Sequence, residues 1–314
     1  MKVMKPQEVS CVNVDTTVQE KAVAYPTDAR NYNKGRKLLV KIAKKRGIEL
    51  RQSYARIGEE LLCKQNRYAH ARQMKRAAKA TKQLRNYLGR VLREMECSVE
   101  KLTKREQEVL ELIKRLHVQK RDDKNKVYSF HAPEVECIAK GKAHKKYEFG
   151  CKASVVSTNG TNWIVGANAC HGNPYDGHTF TESLSQVKRL TGHEIREAYC
   201  DKGYRLKKEE QPNNCRMVLP GGRKRSVTEK RRMKRRNAIE PIIGHMKSGN
   251  RLSRNYLRGI KGDIHNVILA ACGFNIRKLL RAFLYLKLRS FLESVLSIKN
   301  LFEIALLRLN ALYC

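Results

Sequence analysis

Apolar and polar positions alternate in several stretches of this chain and recur at helical spacing in others. Tyr147, Phe149, Cys151, Ala153 and Val155 alternate with Glu148, Gly150, Lys152 and Ser154, which predicts a strand with one buried face. Asn159-Gly160 follows, and Trp163, Val165 and Ala167 alternate beyond it, the pattern of a β-hairpin. Val12 and Val14 predict an opening strand that closes at Asp15, and residues 195–200 and 216–219 predict two more. Helical spacing places Leu84, Tyr87, Leu88, Val91, Leu92 and Met95 on one face, and a further helix is expected over 109–116. Phe180, Leu184, Val187 and Leu190 form another such face, as do Ile239, Ile242, Ile243 and Met246, each the stripe of an amphipathic helix. The order of elements predicts an α/β fold: a mixed sheet, interrupted after its first strand by a long helical insertion and followed by a helical tail. The expected divisions are 1–34 and 127–265 for the sheet-bearing part, 35–126 for the insertion and 266–314 for the tail.

Charge changes this picture from a fold to a fold with a partner. The chain has 314 residues, with 66 Lys and Arg against 30 Asp and Glu, a net charge of +36. At 41% hydrophobic residues it can still bury a core, so it is not a disordered basic tail. The excess is in blocks: residues 35–126 carry +16 and residues 220–265 carry +11, while 1–34 and 127–219 are nearly neutral. Two basic surfaces on a packed core point to a polyanion, with DNA or RNA the default.

The ten cysteines form no C-x-x-C pair, so reduced thiols of a cytoplasmic protein are expected. His131, His144, His171, His178 and His245 match no standard zinc spacing, and ordinary packed or surface histidines are expected there. The first ten residues lack the apolar stretch of a signal peptide. Charges recur through the apolar C-terminal segment at Arg277, Arg281, Lys287, Arg289 and Glu293, so no membrane span is expected.

Three carboxylates stand out by position. Asp15 and Asp201 each follow a short buried strand, and Glu240 lies near the start of an apolar-striped helix, with Lys247 two turns further on. If the two strands are parallel neighbours, their carboxylates converge at one sheet edge. Converging carboxylates repel unless a cation neutralises them. Mg2+ suits hard oxygen ligands, and a pair of such ions can hold both the attacking and leaving oxygens of phosphoryl transfer.

Several strings carry a resemblance. They are 14–21 (VDTTVQEK), 25–30 (YPTDAR), 131–138 (HAPEVECI), 140–144 (KGKAH), 172–178 (GNPYDGH), 201–204 (DKGY) and 236–247 (RNAIEPIIGHMK). In this order they are similar to the DDE transposases of bacterial insertion sequences, most closely the insertion-sequence-five group, over roughly residues 11–285. The resemblance implies an RNase H-like catalytic core with Asp15, Asp201 and Glu240 as a metal-binding triad for two Mg2+ ions, with Mn2+ as a substitute. It implies cleavage at element ends and strand transfer into target DNA, on double-stranded DNA carrying terminal inverted repeats, by a homodimer or higher oligomer at the bacterial nucleoid. Arg236 and Lys247 match the family's arginine four residues before the glutamate and lysine seven after it, whereas Met233 stands where the family has a tyrosine. Arg231, Arg232 and Arg235 are expected beside the phosphates of the cleaved bond, with Lys142, Lys145 and Lys146 extending the DNA track. Family members carry a helical domain before the first aspartate, and here that aspartate is residue 15. The second reading is therefore a truncated, catalytically inactive DNA-binding remnant or regulator of a full-length transposase.

Competing patterns are weaker. Asp28 and Asp176 follow turn-forming residues and read as loop positions. Residues 172–179 come near a phosphate-binding loop, but His178 stands in place of its lysine and Pro174 removes a backbone donor.

Overall fold

The computed structural model describes residues 4–120, 122–139, 145–206, 214–221 and 225–312, with side chains to residue 295. A short helix α1 (Pro6–Val9) leads into β1 (Cys11–Glu20), the central strand. Four helices follow: α2 (Asp28–Arg46), α3 (Ala55–His70), α4 (Met74–Glu96) and α5 (Lys104–Val118). The chain then returns to the sheet with β2 (Glu136–Ala139), β3 (Tyr147–Thr158) and β4 (Ile164–Cys170), crosses through α6 (Phe180–Thr191), and adds β5 (Glu197–Tyr199) and β6 (Arg216–Val218). Helices α7 (Val227–Arg236), α8 (Ile239–Gly249) and α9 (Gly259–Leu312) complete it. The fold is thus α/β with a mixed sheet, as the residue pattern predicts.

The strand order is β2-β3-β1-β5-β6, with β4 also on β3. β1 runs antiparallel to β3 and parallel to β5, and β5 is parallel to β6. The β3–β4 hairpin forms where Asn159-Gly160 predicts it. Alternation in 147–155 predicts one buried face, but from Ala153 to Thr158 every β3 residue is buried. The reason is that both faces of the sheet are covered. Val12, Val14, Val156, Val165, Phe180 and Val187 pack on the α6 side. Ala153, Val155, Ile239, Ile242, Met246 and Val267 pack on the other, under α8 and α9.

Helices α2–α5 have a core of their own, built on Leu39, Leu84, Leu88, Val91, Met95, Leu110, Ile113 and Leu116. Their ends are fixed locally. Thr27 Oγ1 accepts the N–H of Arg30 to start α2, Gly47 ends it at φ 64°, and Thr103 with Glu106 forms a capping box on α5. Helix α3 buries only Gly58, so it leaves no apolar stripe to be read from the sequence. Among the described residues no helix is long and apolar enough to cross a membrane.

Candidate active site

β1 does not close at Asp15, as its sequence suggests, but runs on to Glu20. Its far half is held by β3, while its parallel neighbour β5 stops at Tyr199. Asp15 therefore sits where β1 outruns β5, and Asp201 lies just past the end of β5. Asn13 pairs with Tyr199, so the two aspartates occupy the same level, each two residues further on. Asp15 pairs across β3 with Val155, which packs under α8, so its side chain is on the α8 face.

Both carboxylates are set in the same way. Asp15 Oδ1 accepts the backbone N–H of Thr16 at 2.8 Å, and Asp201 Oδ1 accepts that of Lys202 at 2.7 Å. The second oxygen of each is turned toward Arg236, whose Nη2 lies 3.4 Å from Asp15 Oδ2 and 4.0 Å from Asp201 Oδ2. The Arg236 side chain is 9% exposed, and its Nε is buried with no hydrogen-bond partner among the described residues. A guanidinium between two carboxylates offsets the repulsion they would otherwise feel.

Glu240 lies in the first turn of α8, four residues beyond Arg236, and is exposed. Ile239, Ile242, Ile243 and Met246 anchor that helix to the sheet. The three carboxylates are not drawn within 4.8 Å of one another as a group. Lys247 is half-buried in the last turn of the same helix.

The other basic residues divide by what they touch. Arg232 pairs with Glu197 of β5, and Arg235 donates to the carbonyls of Asn159 and Gly160 at the hairpin turn. These heads tie α7 to the sheet. Arg231 is exposed and lines an open cavity with Gln7, Glu8, Cys11 and Lys234. Lys145 pairs with Glu20, Lys146 is exposed, and Lys142 lies outside the described residues.

One residue near the aspartates reads from sequence as a plain loop position. Asp176 is in a short 3-10 turn after β4. Its Oδ1 accepts Thr16 Oγ1 at 2.8 Å and Lys152 Nζ at 2.9 Å, and its Oδ2 would lie 3.2 Å from any Cβ placed on Gly203. It therefore clamps the residue after Asp15 and borders the loop after Asp201. Nothing in its local sequence marks this. Behind the loop, Tyr204 is 1% exposed, and burial pushes its phenol well above the usual range, with Cys200, Asp15 and Asp176 adding to the shift. It stays protonated.

Comparison with known proteins bears on the same segment. Residues 196–280 match the family model for the transposase DDE domain, a span that includes Asp201, Arg236, Glu240 and Lys247 and begins beyond Asp15. A Rhizobium meliloti protein, described as uncharacterized protein ORF8 in nfe locus, is 56% identical over 69 residues, or 22% of this chain. The match spans 33% of that relative's length. No solved structure matches the chain. Over residues 196–280, the segment that holds its second aspartate and its glutamate, the chain is similar to the transposase DDE domain.

Proposed function

We propose that this protein is a Mg2+-dependent transposase that cleaves phosphodiester bonds at the ends of a mobile element and joins the freed 3′ hydroxyl to target DNA. The observation that carries this reading is the level placement of Asp15 and Asp201 on parallel neighbours, each with one oxygen turned to a shared cation. The strand order β4-β3-β1-β5-β6, antiparallel on one side of β1 and parallel on the other, supports an RNase H-like core. In that core 35–126 is a helical insertion between 1–34 and 127–265, and 266–314 trails behind.

The donors present suit Mg2+ or Mn2+, because they are hard carboxylate oxygens already disposed toward positive charge. Asp15, Asp201 and Glu240 would hold the ions. When bound, such metals supply Lewis-acid stabilisation at the phosphodiester and an activated water or 3′ hydroxyl. The chain's own groups do the rest. Arg236, set between the aspartates, offsets their mutual repulsion, and Asp176 holds the Thr16 turn in place. Arg231 and Lys146 neutralise phosphates flanking the cleaved bond, joined by Lys247, Arg232, Arg235, Lys142 and Lys145 where DNA competes for their partners. Leu280, Leu284, Leu288, Phe291 and Val295 lie exposed along one stripe of α9, which supports association of two copies on DNA.

The test is nicking of a duplex bearing the element's ends. The wild-type chain cuts with Mg2+ or Mn2+ and joins the ends to a second duplex. Binding without any metal-dependent nicking would instead favour the inactive DNA-binding remnant.

A further inference from the structure

A second group of ligating side chains lies on the α8 and α9 face of the sheet. Cys151 on β3 stands opposite Gln19, four residues along β1 from Asp15, or about 13 Å at the rise of a strand. His171 follows β4, and Asp263 is in the first turns of α9. One ligand atom from each of these three lies within 4.8 Å of the others, which among the described residues holds for no other such group of His, Cys, Asp or Glu. Cys151 is 1% exposed and Asp263 3%.

Each ligand is oriented by its neighbours. Gln19 Nε2 donates to Cys151 Sγ at 3.4 Å. Asp263 Oδ1 is taken by Lys21 Nζ at 2.7 Å and Asn255 Nδ2 at 2.6 Å, while its Oδ2 faces His171 Nε2 at 3.6 Å. That Nε2 is buried with no hydrogen-bond partner among the described residues. On the other side of the ring, Nδ1 faces Glu136 Oε1 at 3.8 Å, and Glu136 is itself fixed by the backbone N–H groups of Gly172 and Asn173.

We propose that Cys151, His171 and Asp263 bind a zinc-type transition-metal dication, with water as the fourth ligand, and so fasten the start of α9 to β3 and the end of β4. A thiolate, an imidazole and a carboxylate select Zn2+ over hard Mg2+. Bond lengths of about 2.0–2.3 Å require ligand atoms roughly 3.5 Å apart, so the group has to contract by only about 1 Å. Glu136, 3.8 Å behind the imidazole, is close enough to take the Nδ1–H once the ring settles on a metal, and such a bond fixes tautomer and ring orientation in histidine–metal sites. Lys21 also pairs with Glu134 at 2.8 Å, so these two charges cancel and the dication meets the thiolate and the Asp263 carboxylate. The ligands come from elements far apart in the chain, which is why their spacing reads as no zinc motif. The site shares no residue with the aspartate pair and stands or falls separately from the DNA chemistry.

Co2+ titration of the full chain, purified without a metal-affinity tag, tests it. The expected result is one equivalent bound with thiolate-to-cobalt charge-transfer absorption, displaced by Zn2+. Cys151→Ser removes that absorption, Glu136→Gln weakens binding about 10- to 100-fold, and Cys63→Ser, at an exposed thiol outside the site, leaves both unchanged. If the variants do not fold, the wild-type absorption and its displacement by Zn2+ still decide. A wild-type chain without that absorption, or an equal absorption in Cys151→Ser, overturns the proposal.

Discussion

Asp15 and Asp201 stand level on adjacent parallel strands, each tied by one oxygen to the next residue's N–H and turned by the other toward Arg236. The arrangement follows from unequal strand lengths. β5 ends at Tyr199, so the level of the aspartates lies beyond the parallel ladder.

Replacing Arg236 by Gln leaves two carboxylates facing one another with their shared cation removed. The expected cost at neutral pH is about 1–3 kcal/mol, read as a lower urea midpoint. Added Mg2+ should restore part of it, because a cation then returns to the pair. Equal midpoints for Arg236→Gln and wild type would show that the guanidinium does not neutralise them.

Asp176 acts through Thr16 and Lys152 rather than on the substrate. Asp176→Ala should slow DNA nicking by up to about a hundredfold, since a misplacement of about 1 Å at a reacting group carries a cost of that order, with DNA binding retained. Asp176→Asn, which keeps an acceptor for Thr16, should recover most of the rate. Equal rates for both variants would remove the positioning role.

Much of this architecture was open to reading from the residues alone. The hairpin at Asn159-Gly160, the helix over Ile239–Met246 and the strand that leads to Asp201 follow from period and turn chemistry. The continuation of β1 past Asp15 did not, because Thr16, Thr17 and Gln19 look polar yet Thr17 and Gln19 are buried beneath α8 and α9. The work of Arg232 and Arg235 was hidden for a different reason. A basic run looks alike whether its heads face DNA or, as here, Glu197 and the carbonyls of the hairpin turn. Asp176 and Lys21 depend on partners more than a hundred residues away, as Thr16 is to one and Asp263 to the other.

Lys21 is 5% exposed and lies 2.8 Å from Glu134 and 2.7 Å from Asp263. Lys21→Met would leave two buried carboxylates unpaired, a loss of about 3–5 kcal/mol. Chemical denaturation should show it as a large drop in midpoint. A change under about 1 kcal/mol, the scale of a surface pair, would contradict the buried network.

Glu106 accepts from Arg46 at 2.8 Å and from the Thr103 backbone at 3.0 Å, and these bonds, Arg46 first, lower its carboxyl from the ordinary 4.5 to about 2. A lowered carboxyl stabilises the fold above its unfolded value and loses that contribution as the pH falls toward the folded one. Glu106→Gln should therefore unfold at a lower temperature than wild type at pH 7, and the gap should shrink between about pH 4.5 and pH 2. A gap independent of pH would exclude the ionised form as its source.

In the proposed reaction Asp15, Asp201 and Glu240 act together on DNA. This is tested by metal-dependent nicking and end joining with Asp15→Asn, Asp201→Asn and Glu240→Gln, each compared with wild type at equal DNA binding. Each variant should bind DNA and lose both reactions by about a thousandfold or more, the scale at which groups acting as a unit fail. Any one variant that nicks and joins DNA at the wild-type rate would contradict it.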